Sequence, residues 1–272
     1  MKLLLHACCG PCSLEPTRLL KAAGHDITIY YANSNIHPAE EYEHRLATLR
    51  AWAADAGFEV LEGPYDPATW EACAGRIGDA AIAEVERARA ETGAEDERAG
   101  KGTAPRAAVL SVDPARREAR CRACYRLRLE ETARVAAERG FEGIGTTLSV
   151  SPYQYTQVIR EEVERAAAQA GVAPVFEDFR PYYDKATRES RELGMYRQNF
   201  CGCRISDLEA AAERAERKEQ RAAAKAAERA AHADARAAEE AARAAHKAER
   251  AAYDKKQARK RAILKALREQ GK

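Results

Sequence analysis

Three thiols, Cys8, Cys9 and Cys12, stand within five residues of one another just after His6 and the apolar run Leu3-Leu4-Leu5. Far downstream come Cys121-x-x-Cys124 and Cys201-Gly-Cys203, which leaves Cys73 as the one isolated member of eight cysteines. Thiols grouped on three remote segments form a site only when a fold gathers them, and such a site binds a soft metal or moves electrons. Structural zinc takes four ligands in a closed tetrahedron, and iron–sulfur clusters are likewise held by four thiolates. Seven thiols are too many for one zinc and one too few for two zinc sites of four thiolates each. His6, His37 and Asp66 are possible additional ligands. Iron–sulfur ligation leaves a surplus of thiols for a second metal or a redox pair. Zinc stays open as the alternative.

Other residues near these groups have two readings each. His6 could donate to a sulfur or a substrate, or merely end a strand. Cys73 reads as a small buried hydrophobe on an amphipathic segment. Arg126 and Arg128, beside the CxxC, could meet phosphate or face water. Between Tyr182 and Gln198 aromatic and basic residues interleave, including Lys185, Arg188, Tyr196 and Arg197. That mixture suits stacking on unpaired bases and contact with phosphates, or packing against the body of the fold.

The elements that must position these residues follow from pattern. Residues 2–5, 26–32 and 58–61 read as strands, the second β-branched and aromatic. Residues 13–23 and 39–56 read as helices, stopped by Gly24 and Gly57. A strand–helix alternation implies a parallel sheet flanked by helices, whose ligands gather at the carboxyl ends of its strands. The first thiol group and the turn-rich 33–38 segment both fall there. Residues 121–139 form a further helix, with the CxxC at its start, where the helix N-terminus favours thiolates. Residues 143–148 make a fourth strand, 157–171 a helix, 175–179 a further strand and 186–193 a helix. The stretch 77–120, rich in Ala, Glu, Arg, Gly and Pro, reads as a helix followed by a mobile insertion.

The chain divides into an α/β catalytic domain, 1–207, and an Ala-rich helical or partly disordered tail, 208–272. The tail carries 18 Lys+Arg against 11 Asp+Glu, while the body carries 27 against 32. A net charge of +2 therefore hides a basic tail on a mildly acidic body. The tail could attract phosphates without sequence preference, or be a solvated helix. No apolar run approaches the ~20 residues of a membrane span, and no signal peptide is evident. A cytoplasmic protein is expected, in which clustered cysteines are metal-binding or redox-active rather than structural disulfides.

Taken together, His6-x-Cys8-Cys9-x-Pro11-Cys12, Cys121-x-x-Cys124-Tyr-x-x-Arg128-Leu129 and Tyr196-Arg-Gln-x-x-Cys201-Gly-Cys203 resemble the QueH-type epoxyqueuosine reductases. The likeness extends to Asn33-x-Asn-Ile-His-Pro38 followed by Glu41-Tyr42 and Arg45, to Tyr65-Asp66-x-x-x-Trp70 and to Thr146-Thr147-Leu148-Ser149-x-Ser151-Pro152, and spans about residues 3 to 206. The resemblance implies an adenine-nucleotide α-hydrolase-like (HUP-type) fold. It also implies an oxidoreductase that reduces epoxyqueuosine at the tRNA wobble position to queuosine, the last step of that modification. The implied cofactors are a 4Fe-4S cluster and a nearby mononuclear iron, without cobalamin; an external electron donor is needed. The Ser-Gly-Gly-x-Asp-Ser loop of ATP-using relatives is replaced by the first thiol loop, so ATP is not expected.

On this reading Cys9, Cys121, Cys124 and Cys203 hold the cluster. Cys8, Cys12 and Cys201, with Asp66, supply the second metal or redox-active thiols, and His6, Tyr196 and Arg197 serve proton delivery or substrate contact. Two readings of other kinds stand beside it: a zinc-stabilised module that binds tRNA or a partner, and an iron–sulfur sulfur-transferase acting on tRNA, which would need ATP and a sulfur donor.

Overall fold

The computed structural model describes residues 1–92 and 109–270. Five parallel strands form one sheet in the order β3-β2-β1-β4-β5. They are β1 (Lys2–His6), β2 (Asp26–Tyr31), β3 (Glu59–Glu62), β4 (Gly143–Thr146) and β5 (Ala173–Pro174). Leu3, Leu4 and Leu5 are fully buried, as expected of a central strand covered on both faces. Their alternation feeds two cores. Leu4, Tyr30 and Ile144 pack with Leu129, Ala133, Val158 and Val163. Leu3, Leu5, Ile29 and Tyr31 pack on the other face with Leu20, Tyr42, Leu46 and Leu49. The expected α/β architecture, a parallel sheet flanked by helices with a helical C-terminal extension, is what the structure contains, and it is consistent with the HUP type.

The flanking helices are α1 (Gly10–Ala22), α2 (Ala39–Ala56), α4 (Arg76–Thr92), α5 (Pro114–Glu138), α6 (Thr156–Ala170) and α7 (Tyr183–Glu192). One turn, α3 (Pro67–Trp70), runs through the wide π-helical turn Glu71–Gly75 into α4. The long helix α8 (Arg204–Gln270) ends the described chain.

Several boundaries differ from those the sequence suggests, each for a local reason. Helix α1 begins at Gly10 rather than residue 13, because Pro11 fits a first turn that needs no donor; Cys9 is thus its N-cap and Cys12 lies in its first turn. Helix α5 begins at Pro114, with Asp113 Oδ1 accepting from the Ala115 and Arg116 amides at 2.8 and 3.4 Å. The CxxC therefore sits about two turns inside the helix, beyond the reach of its N-terminal charge. Strand β4 stops at Thr146, whose Oγ1 takes the Leu148 amide at 3.2 Å and starts a 3-10 turn, Leu148–Val150. The expected strand 175–179 does not form. Its place is taken by the two-residue β5, where Pro174 has no N–H to extend the ladder.

Residues Met1–Glu213 form one compact unit and those from Arg214 onward a second. The start of α8 belongs to the first: Ile205, Glu209 and Ala212 are buried, and Glu209 is paired with Arg120 at 2.8 Å. Within the stretch expected to be an insertion, residues 77–92 lie on α4 and 114–120 on α5; residues 93–108 lie outside the described residues. No described helix is long and apolar enough to cross a membrane.

Candidate metal centre

Strand order reverses at β1, which has β2 on one side and β4 on the other. The crevice beyond the carboxyl ends of such strands is where open parallel sheets hold ligands. Here it receives the loops after β1, β2 and β4. The backbone locks them together: Ala7 N donates to Tyr30 O, and Thr147 N to His6 O, both at 2.9 Å.

The first thiols sit on the loop and turn after β1. Cys9 caps α1 without using its side chain, so its sulfur is free to accept from Gln198 Nε2 at 2.9 Å. The Sγ atoms of Cys8, Cys9 and Cys12 lie within 4.8 Å of one another, and this is the one such group of three or more possible ligands among the described residues. Hydrogen bonding from Cys12, then Cys9, pulls the Cys8 thiol well below its ordinary range, with Arg128 assisting. Cys12 is pushed well up by the same sharing with Cys8, and burial takes Cys9 to about 12. Of the three, Cys8 is thus the thiol most disposed to ionise.

The other four thiols gather where α5 meets the loop into α8. Cys124 and Cys203 pack with Trp70, Ala74 and Ile205. Cys201 approaches Gln154 Oε1 at 3.8 Å, and that oxygen also accepts from Tyr125 Oη at 2.6 Å. Burial pushes Cys121 and Cys203 up to about 12 and raises Cys124, and all three feel the charge of Cys201. Arg120 Nη2, 3.6 Å from Cys121 Sγ, works the other way.

The Cys201-Gly-Cys203 loop is held by its backbone. Arg45 is buried, pairs with Glu41 Oε1 at 2.7 Å, and donates to the carbonyls of Cys201 and Phe200 at 2.8 and 3.3 Å. Gly202 has φ +137°, and a Cβ there would meet Asn35, Ile36 and Arg45 at 3.0 to 3.2 Å. Only glycine suits both the conformation and the space.

Between the two thiol groups lies Arg128, fully enclosed. Its Nη2 donates to Asn33 Oδ1 at 2.6 Å, and Asn33 Nδ2 donates to Ala7 O at 2.8 Å. Three of the motif segments are thereby tied by one chain of hydrogen bonds. Burial opposes the Arg128 charge, but Cys124, Cys8 and Cys201 more than offset this and raise its pKa. A buried cation without a carboxylate partner is costly; here it is matched to thiols.

The triad Cys8, Cys9 and Cys12 could hold a metal. Ionised thiols are soft ligands, and buried polar atoms in the motif segments lack partners: His6 Nε2, both amide atoms of Asn35, Trp70 Nε1, Thr147 Oγ1, Gln198 Oε1 and Arg128 Nε. Buried polar groups are normally satisfied, so such a concentration of exceptions marks a place for something else.

The remaining expected site residues are placed as follows. His6 is fully buried, bonds Thr146 Oγ1 through Nδ1 at 2.9 Å, and is lowered to about 3 by burial and then by Arg128. A ring kept neutral this way links β1 to β4 and carries one N–H but no positive charge at neutral pH. Asp66 is exposed and caps α3, its oxygens accepting from Thr69 N and Oγ1 at 3.2 and 2.6 Å; none of its hydrogen bonds reaches a thiol. Tyr196 Oη donates to Glu41 Oε2, so it joins the network that holds the Cys201 loop. Arg197 is half-buried and makes no ion pair among the described residues. Cys73, expected to be a hydrophobe, packs against the Trp70 cluster. Sequence reasoning gave no role to Arg45, Glu41, Asn33 or Gln154, since only their tertiary partners reveal one. Arg128 carried a signal, its fixed place after the CxxC.

Comparison with known proteins gives the arrangement its context. A family model described as epoxyqueuosine reductase QueH matches residues 3–89 and 105–209. The chain belongs to the epoxyqueuosine reductase QueH family. The chain is 29% identical over 209 residues to the epoxyqueuosine reductase QueH of Dehalococcoides mccartyi, covering 76% of this chain and 93% of that one. It is 30% identical over 216 residues to that of Thermotoga maritima, with 78% and 94% covered, and 30% identical over 212 residues to that of Histophilus somni, with 74% and 70% covered. As a QueH-family member the chain is an oxidoreductase. All three thiol groups fall inside the matched region, as do the Arg45 and Arg128 networks.

Proposed function

We propose that this chain reduces the epoxide of epoxyqueuosine in the tRNA wobble position to the cyclopentene of queuosine, in the cytoplasm, where tRNA is modified. The observation that carries the proposal is the close triad Cys8, Cys9 and Cys12 at the sheet's switch point, beside a buried guanidinium whose charge Cys124, Cys8 and Cys201 favour. The reaction consumes two electrons and two protons and releases the epoxide oxygen as water. A 4Fe-4S cluster with an adjacent iron supplies single electrons and a Lewis acid for that oxygen when bound; the reading needs neither cobalamin nor ATP.

Their grouping leads us to assign the cluster to Cys121, Cys124, Cys201 and Cys203. A four-iron cluster holds its thiolates farther apart than one ion does, since iron and inorganic sulfide lie between them. The close triad of Cys8, Cys9 and Cys12 would hold the single iron. This division differs from the one read from the sequence because Cys9, as N-cap of α1, faces Cys8 and Cys12. Arg128 balances charge across both groups. Tyr196, partly exposed and hydrogen-bonded to Glu41, is placed to hold a proton at the rim, and Arg197 offers an unpaired cation for phosphate. An electron donor is required from outside the chain.

The deciding experiment is anaerobic purification, metal analysis and a single-turnover assay on epoxyqueuosine-tRNA. We expect broad absorbance near ~400 nm from thiolate-bound clusters, more than four irons per chain, and queuosine as product. Colourless protein with stoichiometric zinc, unchanged by anaerobic reconstitution, would remove the proposal in favour of a zinc-stabilised binding module. Cys121→Ala should lose both the absorbance and the activity; full iron with full activity would refute its place in the cluster. Tyr196→Phe should lower kcat by about 10²-fold, the lower range for one positioned acid, with iron content unchanged. An unaltered kcat would exclude it as the proton holder.

A further inference from the structure

The second unit, from Arg214 onward, lies beyond the matched family region, which ends at residue 209. It is helical through Gln270 and nearly devoid of large apolar residues. Between Leu208 and Ile263 the one such side chain is Tyr253. It therefore has neither the apolar seam of a coiled coil nor the apolar face of a membrane-surface helix. Its charges, however, are sorted. Successive steps between the Lys and Arg residues from Lys218 to Arg250 are three, four, four, seven, seven, four and three residues, each close to whole helical turns. At about 100° per residue, all of them fall within about 80° of the helix circumference, along about 50 Å of axis. Glu216, Glu219 and Glu249 project more than about 100° from the centre of that stripe, whereas Glu228, Glu239 and Glu240 lie within about 60° of it.

Every one of these basic side chains is exposed. Arg243 is paired with Glu239 at 2.5 Å; the others from Lys218 to Arg250 make no ion pair among the described residues. This contrasts with the first unit, where Arg122, Arg126 and Arg165 converge on the buried Glu162. A stabilising surface network would interleave the two signs along one face at i, i+4. A one-sided, mostly unpaired row of cations is instead the footprint of a polyanion.

We propose that this stripe docks on the phosphate backbone of tRNA, adding sequence-independent affinity to a catalytic unit that reads the modified base. The proposal rests on the reductase reading for the identity of the RNA. Its physical content, a phosphate-binding helix face, is independent of the chemistry at the thiols.

The test titrates the full-length protein with unfractionated tRNA over a salt series. One variant carries Lys218→Gln, Arg221→Gln, Lys225→Gln and Arg229→Gln. A control carries Lys255→Gln, Lys256→Gln, Arg259→Gln and Lys260→Gln, which removes the same charge from the other faces. Glutamine keeps helix propensity close to that of lysine and arginine. The stripe variant should lower the slope of log K against log salt by about 3 and weaken binding about tenfold or more at ~50 mM salt, the control by less than half as much. Equal weakening of both variants, or of neither, overturns the stripe. Binding to phosphatidylserine vesicles or polyglutamate that the stripe variant loses, with tRNA binding unchanged, also overturns it, moving the face to a lipid or an acidic protein. Binding is read without turnover, so wild-type protein that shows the tRNA effect but yields no queuosine sinks the reductase reading alone.

Discussion

Arg128 shows how a single side chain sets the electrostatics of the centre. It is a permanent cation, buried, hydrogen-bonded to Asn33 and to Cys124, with thiols on two sides. In the metal-free chain Cys124, Cys8 and Cys201 favour its charge; bound metal would hold such thiols as thiolates. Arg128→Gln should therefore destabilise the metal-free protein, because Asn33 Oδ1 loses its donor and the thiols lose a stabilising cation, and should destabilise the metal-loaded protein further. The same variant should retain less iron after anaerobic reconstitution. Thermal melts of both forms and iron analysis decide this; an equal loss of stability with and without iron would show that Arg128 is merely structural. Gly202 acts through geometry instead. Its φ of +137° and the contacts waiting for a Cβ leave no room for a side chain between Cys201 and Cys203.

Among the elements, α5 carries the most function. Its N-terminal half bears Cys121 and Cys124, its inner face supplies Tyr125 and Leu129 to the core, and Arg128 enters the centre from it. Because its cap lies two turns before the first thiol, helix stability and metal ligation separate experimentally. Asp113→Ala removes the side-chain oxygen that satisfies two amides and should cost about 1 kcal/mol. For a body of this size that is a fall in Tm of about 2–4 °C, read by calorimetry, with iron content unchanged. Loss of iron alongside the Tm would mean that the first turns of α5 also shape the site. Helix α2 works at a distance: Glu41 and Arg45, one turn apart on its buried side, anchor the loop of Cys201 and the hydroxyl of Tyr196.

For the molecule as a whole, the thiols couple folding to metal and to pH. Burial holds Cys9, Cys121 and Cys203 near 12 in the metal-free fold, against about 8.5 for an unfolded thiol. Raised folded values mean that the metal-free fold binds more protons than the unfolded chain. The stability they contribute is fully present below about pH 8.5 and is lost as pH rises toward the folded values. Metal binding requires thiolates and releases those protons, so iron affinity moves the opposite way and rises with pH. Denaturation of metal-free protein between pH 7 and 9.5 should show decreasing stability, while iron retention against a chelator increases over pH 6.5 to 8. A metal-free fold that grows more stable above pH 8.5 would contradict the buried-thiol account. The basic C-terminal unit adds a separate dependence, on salt, through phosphate contacts that the thiols do not share.

The sequence by itself determined the family, the parallel α/β class and the seven-thiol set. Motif spacing and strand periodicity are local properties, and Leu3-Leu4-Leu5, the CxxC and Cys201-Gly-Cys203 carry them in a few residues each. It also made the tail helical and basic, since propensity and charge are read residue by residue. Tertiary structure alone showed that the sulfurs of Cys8, Cys9 and Cys12 lie within 4.8 Å of one another, with α1 starting at Gly10. Only the fold could show that Asp66 spends its carboxylate on a helix cap, or that His6 is enclosed and neutral. Arg45 and Asn33 stand in the sequence as motif positions without a stated role. Their roles depend on partners that lie 156 and 95 residues away, and sequence periodicity carries no record of contacts at that range.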